Sequence, residues 1–262
     1  MSYETILVEV ADYVATVTLN RPERMNSFNH AMARDFRNLW AAVREDPAVR
    51  VIVLRAAPGR AFCSGMDVQE DWAKDRSYYD RMPFEAEDPG EWLGPKANKV
   101  FKPLVVAAHG IVADGAFHWL NEADLIICSE DATFFDPHVT FGLVASVEPV
   151  GLLARIPLAW IQRMTLMGND ERISAATALR INLVTEVTTW EALWPRAAEL
   201  AAGIAAKHPV AIQGSVRAIW EGLSLPREVA VRNALKYTQI GNRIATADVK
   251  RSEQPKAKWR LV

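Results

Sequence analysis

The sequence predicts an α/β fold, and three observations lead to it. Short runs rich in β-branched residues recur through the first half of the chain, and stretches with apolar residues at helical spacing lie among them. From Pro195 onward, alanine, leucine and charged residues at helical spacing dominate. Strands that alternate with helices argue for an α/β core rather than a sandwich.

The opening runs, Thr5 to Val10 and Tyr13 to Leu19, are partly alternating and separated by an Ala-Asp step, which predicts a hairpin. Asn20-Arg21-Pro22-Glu23-Arg24 breaks the second strand. From Asn29 to Arg44, Met32, Phe36, Leu39, Trp40 and Val43 recur at helical spacing, and Asp46-Pro47 ends that helix. Val49 to Arg55, Pro103 to Ala108 and Asp124 to Cys128 read as strands, the last followed by Ala132-Thr133-Phe134-Phe135. Residues 69–101 hold Trp72, Tyr78, Tyr79, Met82, Phe84 and Trp92 among many charges, a mix that suits either a segment over a pocket or an ordinary surface helix and loop. Helical spacing returns over Ala197 to Lys207 and Val229 to Ala245, and the last dozen residues read as a basic tail. No internal repeat is visible.

A chain of 262 residues can bury a sizeable core without disulfides or metals. The formal net charge of −2 argues against a broad nucleic-acid surface. Cys63 and Cys128 lie far apart and outside any metal-binding spacing, so they read as reduced core residues. The first residues lack the basic flank and apolar run of a signal peptide, and charges interrupt every longer apolar stretch; a cytoplasmic location is expected.

Two segments have the form of a strand that stops at small residues before a helix: Arg60 to Val68 and Ala108 to His118. Small residues at such junctions let backbone N–H groups point into a cleft, and two junctions can converge on one oxygen. The order and spacing of Asn20-Arg21-Pro22, Ala61-Phe62-Cys63-Ser64-Gly65-Met66-Asp67-Val68, His109-Gly110 to Gly115, Ala123-Asp124, Ala132-Thr133-Phe134 and Gly142 resemble the crotonase (enoyl-CoA hydratase/isomerase) family over roughly residues 1–190. The resemblance implies a spiral of ββα turns over residues 1–195. It also implies a helical C-terminal region, residues 196–262, that mediates homotrimer or hexamer assembly. It implies an acyl-CoA thioester as ligand, with no metal and no cofactor beyond the coenzyme A of the substrate. Matched residue by residue, the oxyanion-hole amides fall on Met66 and Gly115, and Ser64, Gly65, Asp67 and Val68 fall on the substrate-binding side. Asp67 and Asp124 also suit turn-stabilising roles.

The family's hydratases use two glutamates, and here those positions carry His118 and His138. Asp114 and Ala116 also flank Gly115 where glycine is common in the family. Histidine can still move protons near neutral pH. His118 falls in the first turn of the helix opened by Gly115, where the helix dipole favours the neutral ring and hence a base or hydrogen-bonding role. Glu148 is a candidate to orient or charge a histidine, whereas His30, His109 and His208 read as structural. Three functions fit: an acyl-CoA hydratase or isomerase with His118, His138 and Glu148 as catalytic groups; a cyclic β-diketone C–C hydrolase on the same fold, to which Asp136-Pro137-His138 is loosely similar; and a non-catalytic acyl-CoA-binding scaffold.

Overall fold

The computed structural model describes residues 3–72, 88–249, 254 and 259–262. Tyr78, Tyr79, Met82 and Phe84, and most of the expected tail, lie outside the described residues. Strands β1 (Ile6–Ala11) and β2 (Val14–Leu19) pair antiparallel as the expected hairpin. Helix α1 (His30–Glu45) starts at Asn29, whose side chain accepts a hydrogen bond from the Met32 amide at 3.0 Å. One face of α1 buries Met32, Phe36, Leu39, Trp40 and Val43, the helical spacing read in the sequence.

After α1 the chain alternates between two sheets. Strand β3 (Val51–Ala56) is followed by β4 (Ala61–Cys63), β5 (Leu104–Ala108) by β6 (Ile111–Ala113), and β7 (Leu125–Ser129) by β8 (Thr133–Phe135). Each of these turns gives one strand to each sheet. With β9 (Ile173–Ser174) and β10 (Glu186–Thr188), the six-stranded sheet runs β1-β2-β3-β5-β7-β10 and the four-stranded one β4-β6-β8-β9. From β2 to β10 the larger sheet is parallel, as are β4, β6 and β8, so successive turns stack as a spiral. This is the expected crotonase-type α/β architecture. The structural repeat is hidden in the sequence because the strands of the second sheet are only three residues or fewer.

Burial follows the pleat. On β3, Ile52 and Leu54 face a core shared with α1, whereas Val51 and Val53 face a second cluster with Leu193, Ala197, Ala201 and Ala205. Those four residues recur every fourth position on a helix, α6 below, and the alanines let it approach the sheet closely. The intervening helices are α2 (Phe117–Glu122), α3 (Val147–Gly151), α4 (Leu158–Met167) and α5 (Ala175–Arg180). They are followed by α6 (Trp190–Ala205), α7 (Pro209–Leu223) and α8 (Arg227–Asp248). The chain forms two compact units, Met1–Ala205 and Ala206–Val262; α6, which spans the 195/196 junction, belongs to the first. In the second unit α7 and α8 pack as a helical pair, with Gly241 against Val210. Among the described residues no helix is long and apolar enough to cross a membrane.

The corners between the sheets bond to one another turn by turn: the Ile111 amide donates to the Arg60 carbonyl at 3.0 Å and the Thr133 amide to the Gly110 carbonyl at 2.8 Å. Gly110 sits in the middle corner at φ 56°, and a Cβ there would stand 2.3 Å from the Arg60 carbonyl oxygen. Both the dihedral and the space exclude a side chain. Gly110→Ala is therefore expected to destabilise the protein by about 1–3 kcal/mol or more, seen as a lower urea midpoint at unchanged m-value; an unaltered midpoint would contradict this corner geometry.

Candidate active site

The two small-residue junctions meet at Phe28. Its amide donates to the Gly65 carbonyl at 2.8 Å and its carbonyl accepts from the Asp67 amide at 2.8 Å, which fixes the turn after β4. Its ring stands where a Cβ on Gly115 would be, with the nearest ring carbon 2.1 Å from that point. Glycine at 115 is thus a packing requirement. Gly65 takes φ 101°, a conformation that aims the next amide, that of Met66, out of the turn.

Residues Ser64 to Val68 divide by environment. Ser64 is half-buried with its amide on the Met25 carbonyl, and Val68 is exposed. The Asp67 carboxylate is buried and engaged: Arg21 Nη2 lies 2.9 Å from Oδ2, and the Gln69 amide donates to Oδ1 at 3.1 Å. Burial alone would raise the Asp67 pKa, but the Arg21 hydrogen bond and the Gln69 amide hold it below the usual carboxylate range. Asp67 therefore anchors the turn, as does Asp124, which accepts from Lys96 Nζ at 2.8 Å and from the Leu104 amide at 2.7 Å.

The Met66 amide meets a carboxylate. It donates to Asp114 Oδ2 at 2.7 Å, and the Gly115 amide, next in the chain, also helps to lower the pKa of that carboxyl. Asp114 reaches this position with φ 53°, unusual for a residue with a side chain, at the start of a 3-10 turn (Asp114–Ala116) that leads into α2. Its other oxygen, Oδ1, lies 3.0 Å from His138 Nε2. Burial would raise the Asp114 pKa; the bonds from His138 and the Met66 amide, and the charge of His138, outweigh it and lower the pKa below its ordinary range.

His138 follows β8 and opens a 3-10 turn (His138–Phe141). The fully buried Asp136 accepts from the His138 amide at 3.1 Å and lies 2.6 Å from ring Nδ1. The ring thus spans two carboxylates. The hydrogen bonds to Asp114 and Asp136 raise its pKa from 6.5 to about 10 against the opposing effect of burial. An imidazolium uses both nitrogens as donors, which is what two flanking carboxylates demand.

His118 lies on α2. Its Nε2 is 3.2 Å from Glu148 Oε1, and its ring meets Phe28 edge-on. Asn121, one turn further along the same face, donates from Nδ2 to the Glu148 carbonyl at 3.0 Å and so fixes the start of α3 opposite His118. Burial would raise the Glu148 pKa, but the His118 bond and the charge of His138 lower it overall. From the stretch read as either a segment over a pocket or an ordinary surface helix and loop, Gly90 stands against His118: a Cβ there would be 2.6 Å from Nε2.

His118, His138 and Glu148 are therefore brought together beside the Met66 and Gly115 amides. Asp114, Glu148 and the His138 ring also put potential ligand atoms within 4.8 Å of one another. A metal ion there would require a deprotonated ring nitrogen, which the two carboxylates on His138 oppose. The sequence reading missed Asp114 and Asp136 as members of the site. The available signal was an acidic residue interrupting a glycine run, together with an aspartate two residues before a site histidine.

A histidine whose folded pKa is raised contributes stability that is complete below its unfolded value of 6.5 and is lost as pH rises through about 10. Proton NMR of the His138 ring should give a midpoint near 10, falling toward 6.5 in Asp114→Asn. A wild-type midpoint close to 6.5 would contradict the double carboxylate clamp.

Comparison with known proteins agrees with this architecture. The family model described as enoyl-CoA hydratase/isomerase matches residues 9–254. The chain is 35% identical over 224 residues to the (E)-benzylidenesuccinyl-CoA hydratase of Thauera aromatica, covering 85% of each protein. It is 31% identical over 274 aligned residues to the mitochondrial Delta(3,5)-Delta(2,4)-dienoyl-CoA isomerase of Mus musculus, covering 97% of this chain and 79% of that protein. The crystal structure of an enoyl-CoA hydratase/isomerase from Mycobacterium paratuberculosis superposes with a TM-score of 0.87 at 35% identity, over 94% of both chains. The chain with this two-histidine site belongs to the enoyl-CoA hydratase/isomerase family, the crotonase superfamily of acyl-CoA lyases and isomerases.

Proposed function

We propose that the protein hydrates, or isomerises the double bond of, an enoyl-CoA thioester, with His118, Glu148 and His138 moving the protons and the Met66 and Gly115 amides holding the thioester oxygen. The observation that carries this reading is the Glu148 carboxylate lying 3.2 Å from one histidine and near the other, in a site where the Met66 amide is already bonded to an anion. In hydration, a water oxygen bonds to the β carbon while its proton passes to the His118–Glu148 pair. Charge collects on the thioester oxygen as an enolate, which two fixed N–H donors stabilise. A proton delivered to the α carbon then completes the reaction, and the cationic His138 can supply it from Nε2 once that nitrogen leaves Asp114 Oδ1. Isomerisation uses the same parts: a proton leaves one carbon and returns to another across the same enolate. The activities in the names of the hydratase and isomerase relatives support this class.

No resident metal or redox cofactor enters this scheme; coenzyme A arrives as part of the substrate. Assembly as a homotrimer or hexamer through the helical C-terminal region belongs to the same reading, supported by exposed Ile219, Leu223, Val231 and Ile240 on α7 and α8. A cytoplasmic location also belongs to it. The contact between Asp136 and His138 favours a second reading, the C–C hydrolase that acts on cyclic β-diketones without coenzyme A.

The test is a panel of enoyl-CoA thioesters, short straight-chain ones and (E)-benzylidenesuccinyl-CoA among them, beside cyclic diketones. On the thioester that turns over, His118→Ala, His138→Ala and Glu148→Gln should each lower kcat by about 10²–10⁴-fold while calorimetry still detects free CoA binding. Combining His118→Ala with His138→Ala should cost less than the product of the single losses, because the groups serve one transition state. Parent rates in both histidine variants would remove them from the mechanism. Turnover of diketones without CoA binding would favour the hydrolase.

A further inference from the structure

Asp114 has no part in the scheme above, yet it occupies the centre of the site. Its carboxylate takes the Met66 amide at 2.7 Å, one of the two donors that reading assigns to the thioester oxygen, and the other, the Gly115 amide, follows it directly in the chain. Two backbone features make room for it. Asp114 adopts φ 53°, and Gly65 faces it without a side chain, where a Cβ would stand 2.1 Å from Oδ2. We propose that Asp114 is a built-in occupant of the thioester-oxygen site, a specificity-determining residue that a substrate carbonyl has to displace.

The inference rests on the two-amide reading of the site. A carboxylate is a stronger hydrogen-bond acceptor than a neutral carbonyl, so the occupant competes well against a ground-state thioester. An enolate oxygen carries comparable charge and competes on equal terms. The cost of displacement is the same for either oxygen, but only the enolate repays it, so the carbonyl of a neutral thioester should add little to ground-state affinity. Displacement need not expose an unpaired anion, because Oδ1 can keep His138 while Oδ2 leaves the Met66 amide.

The experiment compares butyryl-CoA with its thioether analogue S-butyl-CoA, which lacks only the carbonyl oxygen, by calorimetry on the full chain. Wild-type protein should bind the two with similar affinity, whereas Asp114→Gly should bind butyryl-CoA about tenfold or more tightly and S-butyl-CoA unchanged. Asp114→Asn, which keeps the side chain's size but not its charge, should show a smaller gain of the same kind and serves equally if the glycine variant does not fold. The carbonyl stretch of bound butyryl-CoA should move to lower frequency in either variant. An unchanged thioester-to-thioether ratio in both variants would overturn the proposal while leaving the acyl-CoA reading intact. Failure of wild type and variants alike to bind either ligand would overturn both.

Discussion

One carboxylate ties the active site to the fold. Asp114 joins the turn after β4, through the Met66 amide, to the turn after β6, on which it lies, and to the turn after β8, through His138. These are the same-side ends of three consecutive strands of the smaller sheet, stacked by the register of β4, β6 and β8. The spiral brings the three corners together, and the carboxylate fixes how they are used. Without side-chain-free positions at Gly65 and Gly115 the corners could not close to hydrogen-bonding distance, since a Cβ at either would meet Asp114 or Phe28.

Around that link, acids and rings alternate. Glu148 faces His118; His138 stands between Asp114 and Asp136; and the backbone amides complete the row. Burying such a row is tolerable only because each carboxylate has a donor, for an isolated buried charge would neutralise or unfold its surroundings. The lowered pKa values of Asp114 and Glu148 and the raised one of His138 are two descriptions of the same pairing.

Much of this was legible in the sequence, and the limits have physical causes. The hairpin, α1, β3, β5 and β7 could be read because they are patterned or apolar runs of five residues or more, whereas the three-residue β10 of the same sheet was not read. The second sheet could not, since three-residue strands carry no period. Histidines at 118 and 138 stood out because the family resemblance implies that these positions carry glutamates in its hydratases. Asp114 did not stand out as a site residue, since its importance depends on φ 53° and on the absence of a Cβ at Gly65, neither of which local propensity specifies. Asp67 suited both substrate binding and turn stabilisation, and only the fold brings Arg21 within 2.9 Å of it, across 46 residues of sequence.

Two rings and three acids share the candidate site. Asp114, Asp136 and Glu148 lie within hydrogen-bond reach of His118 or His138, so proton acceptors and donors stand side by side and no acid there is left without a donor. The arrangement also couples the parts. An oxygen that takes the Met66 amide meets Asp114 there, and Asp114 is a partner of His138, so occupation of that amide and the hydrogen bonding of the cationic ring cannot vary independently.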